Sequence, residues 1–142
     1  MVLLGSFEVL RSVVKVAIVK TWKHEPKGVT ALQVNKQMIK GSTETLILTL
    51  LKEQPLYGYE LIKELHRQSE GVFSLKEGTL YPILHAMELE GWVESYWMEV
   101  EGRKRKYYSI CDKGVEALQH KKAEWLLFRG AVDRVLGEGG LT

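Results

Sequence analysis

A mainly α-helical protein with a small two-stranded antiparallel wing is predicted: a winged helix-turn-helix followed by a C-terminal dimerisation helix. Three observations carry this expectation. Short apolar-periodic segments bounded by breakers recur between residues 42 and 91, which suits three compact helices. Two strand-like runs then follow, Trp92–Met98 and Lys104–Ile110, with Glu101 and Gly102 in the turn between them. A further periodic segment covers residues 113–136.

The chain has 142 residues, enough for one domain with a modest core or a small domain with a dimerising arm. Apolar content of 45% and charged content of 27% are ordinary for a globular protein. The net charge is only +2, so any affinity for nucleic acid must come from local clusters. One cysteine, Cys111, excludes an intrachain disulfide and reads as a small core residue. No apolar run reaches the roughly 18–20 residues that cross a bilayer. The apolar N-terminus is interrupted by Glu8, Arg11 and Lys15 and lacks the features of a secretory signal. A cytoplasmic protein with no membrane partner is expected.

Residues 1–37 form a leader, helical or mobile. Leu3, Phe7, Leu10, Val14, Ala17 and Ile18 share one helical face, although the valines also allow a strand. Pro26 and Gly28 then break the pattern. The leader has three readings: packing on the domain that follows, a mobile or non-native extension before Met38, or a membrane-surface segment.

Residues 38–111 form the winged helix-turn-helix. Helix one starts near Ser42 or Thr43, either of which can cap it, and buries Leu46, Ile47, Leu50 and Leu51. It stops at Gln54-Pro55, because proline disfavours a helical conformation in the residue before it. Helix two begins at Tyr57 or Gly58, carries Leu61, Ile62 and Leu65, and closes near Gly71. Ser74 and Glu77 have capping-box spacing ahead of helix three, which buries Leu80, Ile83, Leu84 and Met87. Pro82 requires a kink or a late start, and Gly91 is the stop. Trp92 and Trp97 read as core fillers. Asp112 caps the last helix, residues 112–136, in which Leu118, Trp125, Phe128, Val132 and Val135 recur at coiled-coil spacing, with Lys121 as the weak position. Residues 137–142 form a glycine-rich tail.

The chemistry concentrates in two places. Arg103, Lys104, Arg105 and Lys106 are consecutive cations near a hairpin turn, followed by Tyr107. Like charges crowded in a strand repel one another, and a phosphate backbone relieves that repulsion by counterion release. Such contacts position a protein without selecting sequence. Helix three is the reading head. Lys76, Thr79, Tyr81, Pro82 and His85 lie near its start, free of its apolar face, and Thr79 can both hydrogen-bond a base and touch a thymine methyl. Tyr57, Gly58 and Tyr59 open helix two, where backbone N–H groups can meet a phosphate. The two tyrosines can equally pack the turn between the first two helices.

The segment from Gly41 to about Leu136 resembles the PadR family of bacterial transcriptional regulators. The carrying stretches are LILTLLKEQPLYGYELIKEL, GTLYPILHAMELEGWVES, and GRKRKYYSI followed by DKG. The resemblance implies a dimeric repressor bound to an inverted-repeat operator in double-stranded DNA. It assigns Thr79, Tyr81 and Pro82 to the recognition helix, Tyr57, Gly58 and Tyr59 to the helix-two entry, and Arg103 to Lys106 with Tyr107 to the wing. It also implies the short form of the family, with one C-terminal helix that makes the homodimer. Trp125 is similar in position to a tryptophan that lines a flat aromatic cavity in multidrug-binding members, which implies a small aromatic effector there. Trp125 also reads as plain interface core, and the two readings are compatible. The leader and Leu89, at a position usually polar in the family, depart from the pattern.

An enzyme is not expected, and neither is a cofactor or metal. His24, His66, His85 and His120 are scattered over different segments, and no glycine-rich phosphate loop follows a strand. Two rivals stand beside the DNA-binding reading. One is a winged-helix protein-interaction module without specific DNA binding, and the other is a ligand sensor with weak DNA binding.

Overall fold

Helix α1 (Lys36–Glu53) is capped by Asn35, whose side chain accepts a hydrogen bond from the Gln37 N–H at 2.8 Å. The computed structural model describes residues 32–138, so the readings of residues 1–31 and of the end of the tail lie outside it. The helix thus starts ahead of Ser42 and Thr43, which are interior residues and not caps. Thr43 is buried, and its hydroxyl donates back to the Ile39 carbonyl at 2.7 Å, which removes the cost of burying it. Ile47, Leu48, Leu50 and Leu51 form the buried face, with Leu46 only half-buried. Gln54 is extended before Pro55, which ends the helix as the sequence requires.

A short strand, β1 (Leu56–Tyr57), comes next and was not expected. Two residues are too few for any alternation to register. Helix α2 (Gly58–Gln68) follows and buries Leu61 and Leu65. Its entry is held by Glu60, whose carboxylate accepts from the Tyr57 N–H at 3.4 Å. Helix α3 (Glu77–Leu89) has Lys76 at its cap position with no side-chain cap bond. Ser74 lies outside the helix, so the expected capping box does not form. Pro82 lies inside α3, which therefore does not start late. The carbonyl deprived of its donor belongs to exposed Gly78. Gly91, at φ +76°, terminates the helix: the Trp92 N–H reaches the Met87 carbonyl at 2.9 Å and the Gly91 N–H that of Glu88 at 3.0 Å.

Strands β2 (Val93–Val100) and β3 (Arg103–Ile110) form a hairpin in which Val93 faces Ile110 and Val100 faces Arg103. Glu101 and Gly102 both have positive φ, 52° and 77°, the two-residue turn that matches strand twist. Strand β1 adds to the other side of β3, so the two-stranded wing is extended at its base into an antiparallel sheet of order β1-β3-β2.

Helix α4 (Asp112–Leu136) is about 37 Å long by helical rise. Asp112 is its first residue and not its cap, a place where a carboxylate favours the helix dipole. Gly114 lets α4 approach the α3–β2 turn: a Cβ there would come within 2.9 Å of the Trp92 carbonyl carbon and 2.8 Å of Ile110. Lys121 joins α4 to the domain through an ion pair to Glu44 at 2.9 Å, with its ammonium 5.0 Å from the Trp92 ring centre.

The core is built from Ile47, Leu48, Leu61, Leu80, Leu84, Met87 and Leu118, all fully buried, with Trp92 packed against it. Leu118 therefore belongs to this core, which corrects its assignment to a dimer seam. Trp97 is 67% exposed, which corrects its reading as a core filler. It shares a sheet face with core residues, but it lies where the hairpin has run past the helices. Among the described residues, no helix is long and apolar enough to cross a membrane.

Candidate nucleic-acid interface

One side of α3 is committed to the core through Leu80, Leu84 and Met87. The opposite side carries Gly78, Thr79, Pro82, His85, Ala86 and Leu89, all exposed. Lys76 is exposed just before the helix. Apart from His85, and Leu89 at the C-terminal end, these side chains are small or compact, so the backbone of the first turns can approach a groove floor closely. Gly78 and Ala86 lie inside the GTLYPILHAMELEGWVES stretch but were not singled out from the sequence, since neither has a side-chain group that can bond DNA.

Tyr81 stands between these two sides. Its hydroxyl reaches the start of α2, where a Cβ on Gly58 would come to 2.5 Å from it. Gly58 is buried, and its lack of a side chain is what admits Tyr81. The pair therefore sets the distance between α2 and α3, and Gly58 presents no free surface to a ligand.

The four cations of β3 do not act as one cluster. Strand geometry sends successive side chains to opposite faces. Lys104 and Lys106 share the face of buried Tyr108, the face that packs on the helices. The Lys106 ammonium lies 5.7 Å from the Tyr108 ring centre. Arg103 and Arg105 share the other face with Tyr107.

That other face carries an aromatic row. Tyr57 and Tyr96 flank Tyr107 from the two neighbouring strands, with ring centres 5.4 Å and 6.0 Å away. Tyr59, largely exposed, stacks on Tyr57 at 6.4 Å. Arg105 lies with its guanidinium carbon 4.5 Å from the Tyr57 ring centre and donates to the Tyr57 hydroxyl. Arg105 is thus held by Tyr57, which ties the hairpin to the α2 entry. This geometry favours the packing alternative for Tyr57. Burial among its neighbours, followed by the Glu60 carboxylate, pushes the Tyr107 phenol above the usual tyrosine range, so it remains a neutral donor and acceptor at neutral pH. Cys111 is half-buried, and burial pushes its thiol upward, away from the reactive thiolate.

Beyond its contacts with the core, α4 leaves a run of large apolar side chains exposed. Trp125, Leu126, Leu127, Phe128, Val132, Val135 and Leu136 all face solvent in the single chain. Heptad spacing alone left out Leu126, Leu127 and Leu136. Trp125 and Phe128 lie side by side, ring centres 6.0 Å apart.

Helices packed behind a twisted three-stranded sheet, with one helix presenting a smooth face beside a basic hairpin, define a winged helix-turn-helix. The sequence profile of the transcriptional regulator PadR-like family matches residues 47–120. The chain belongs to this family, and it is a transcriptional regulator rather than an enzyme. An uncharacterised protein of Lysinibacillus sphaericus is 34% identical over 101 residues, 70% of this chain and 93% of that protein. Transcriptional regulator Rv3488 of Mycobacterium tuberculosis is 35% identical over 72 residues, 51% of this chain and 64% of that one. Among solved structures, a transcriptional regulator from Clostridium thermocellum superposes with a TM-score of 0.66 at 33% identity, covering 70% of this chain and 97% of that chain. A PadR-like regulator from Bacillus cereus gives 0.64 at 37% identity, covering 71% and 97%.

Proposed function

We propose that this chain acts as a dimeric repressor, with α3 of each copy in successive major grooves of an inverted repeat and the wings on flanking phosphates. The observation that carries this reading is the pairing of an exposed α3 face with a basic hairpin, together with the run of exposed large apolar side chains in the second half of α4. Single chains rarely leave so continuous an apolar run in water, and a second α4 is the occupant that matches its length and chemistry. Trp125, Phe128, Val132 and Val135 supply the dimer contacts, joined by Leu127. The adjacent rings of Trp125 and Phe128 suit a planar aromatic effector at the dimer centre, whose binding respaces the two α3 helices.

Fluorescence anisotropy on the DNA just upstream of the protein's own coding region tests this, with a shuffled duplex as the control. Preferential, salt-sensitive binding to the upstream duplex is the expected result. Equal affinity for both duplexes contradicts sequence-specific control at that site. A panel of planar aromatic compounds then tests the effector, which should quench Trp125 fluorescence and weaken DNA binding together.

A further inference from the structure

We propose that Trp97 is a DNA-contacting residue, its indole lying on the sugar–phosphate ridge beside the groove that α3 enters. This rests on the DNA-binding reading above and adds to it an apolar contact on the wing.

The sheet face that covers the helices continues outward along the hairpin. Near the core, Ser95 on this face donates to the Glu88 carboxylate of α3 at 3.2 Å, opposite buried Tyr108. Two residues further along β2 comes Trp97, directly opposite Lys106, and then Glu99, opposite Lys104. Trp97 is therefore on the α3 side of the wing, and it is 67% exposed. The Glu99 carboxylate offsets part of the charge at Lys104, so Lys106 is the clearer phosphate partner beside the indole.

The dimensions agree with this placement. From Ser95 to Val100 the strand runs about 17 Å, and Trp97 lies about 7 Å along it. Half a helical turn of DNA is also about 17 Å. With α3 in a major groove, the hairpin tip reaches the adjoining minor groove, and Trp97 meets the ridge between the two. A flat indole suits the apolar face of a deoxyribose there, and its N–H can donate to a phosphate. A docked protein is the other possible cover for an exposed tryptophan. Lys106 and Lys104 on the same face, and the Ser95 bond that ties this face to α3, favour DNA.

The test uses the full chain labelled with fluorotryptophan, and fluorine NMR with the Trp97 signal assigned by Trp97→Phe. The probe is a duplex of about 30 base pairs of arbitrary sequence at low salt, because a ridge contact needs no particular bases. Addition of duplex should shift the Trp97 signal and leave that of Trp92 in place. Trp97→Ala should weaken binding roughly tenfold with an unchanged salt slope, since no charge is lost. A duplex that binds while the Trp97 signal stays fixed and Trp97→Ala binds normally overturns this inference and leaves the DNA reading intact. A Trp97 signal already shielded from solvent without DNA means that protein covers it, which also overturns the inference. Absence of any duplex binding overturns both readings.

Discussion

Gly114 and Gly58 each create a contact that any side chain would block. At Gly114 the obstacle is the Trp92 carbonyl, a rigid backbone group, so Gly114→Ala must push α4 away from the α3–β2 turn. We expect a loss of about 2–3 kcal/mol in chemical denaturation, the scale of an overpacked core site. At Gly58 the obstacle is the Tyr81 hydroxyl, the end of a side chain that can swing aside, so the cost there is smaller. Tyr108 supplies a pH dependence. Burial, followed by the Glu88 carboxylate, raises its phenol above the ordinary value of about 10. The folded state therefore holds the proton more tightly than the unfolded chain, so stability is intact below that value and falls as pH rises through it. Urea denaturation from about pH 8 to about pH 11 should reveal this decline, to which the raised Tyr107 and Cys111 also contribute, and Tyr108→Phe should make it shallower. Neither glycine's role was legible in the sequence, because each depends on a partner distant along the chain.

At the scale of elements, the helices and hairpin were legible because each has its own period and its own stop. Pro55 and Gly91 ended helices where their backbone chemistry requires. The misreadings came from signals with more than one meaning. Ser74 had the spacing of a cap, but the chain took Lys76 as the cap position. Trp97 had the alternation of a core residue, but alternation does not record where the core ends. The four cations formed a continuous run in sequence and two opposed pairs in the strand. That division has a measurable consequence. Neutralising Lys104 and Lys106 together, as Gln, should lower the salt slope of duplex binding by about 2. Arg105→Gln should instead weaken binding with less change of slope, because its guanidinium is engaged by Tyr57 and acts by positioning the hairpin. Anisotropy titrations over a range of salt concentrations separate the two outcomes. A slope lowered by about 1 for Arg105→Gln, half the change of the double variant, would return Arg105 to the phosphate contacts.

For the molecule as a whole, the first half of α4 is fixed to the core by Gly114, Leu118 and Lys121, so in the proposed dimer a shift of its second half against a partner copy carries the domain with it. Family membership and fold class were legible from the motifs alone, whereas the division of α4 between buried and exposed apolar residues was not. Leu118 fitted the heptad yet is spent in the core, while Leu127 lay outside the heptad and is exposed. Trp125→Ala combined with Leu127→Ser should convert the dimer to monomer in sedimentation velocity and leave thermal unfolding of the domain nearly unchanged, because neither side chain supports the core. A variant as dimeric as wild type would remove this stretch from the interface. In the proposed dimer, two copies read two half-sites as a unit. Selection of bound fragments from the source's own genomic DNA, followed by hydroxyl-radical footprinting, is the decisive experiment. We expect enrichment of an inverted repeat with two protected half-sites about one helical turn apart, centre to centre. A lone unrepeated site, or no enrichment over input DNA, would contradict it.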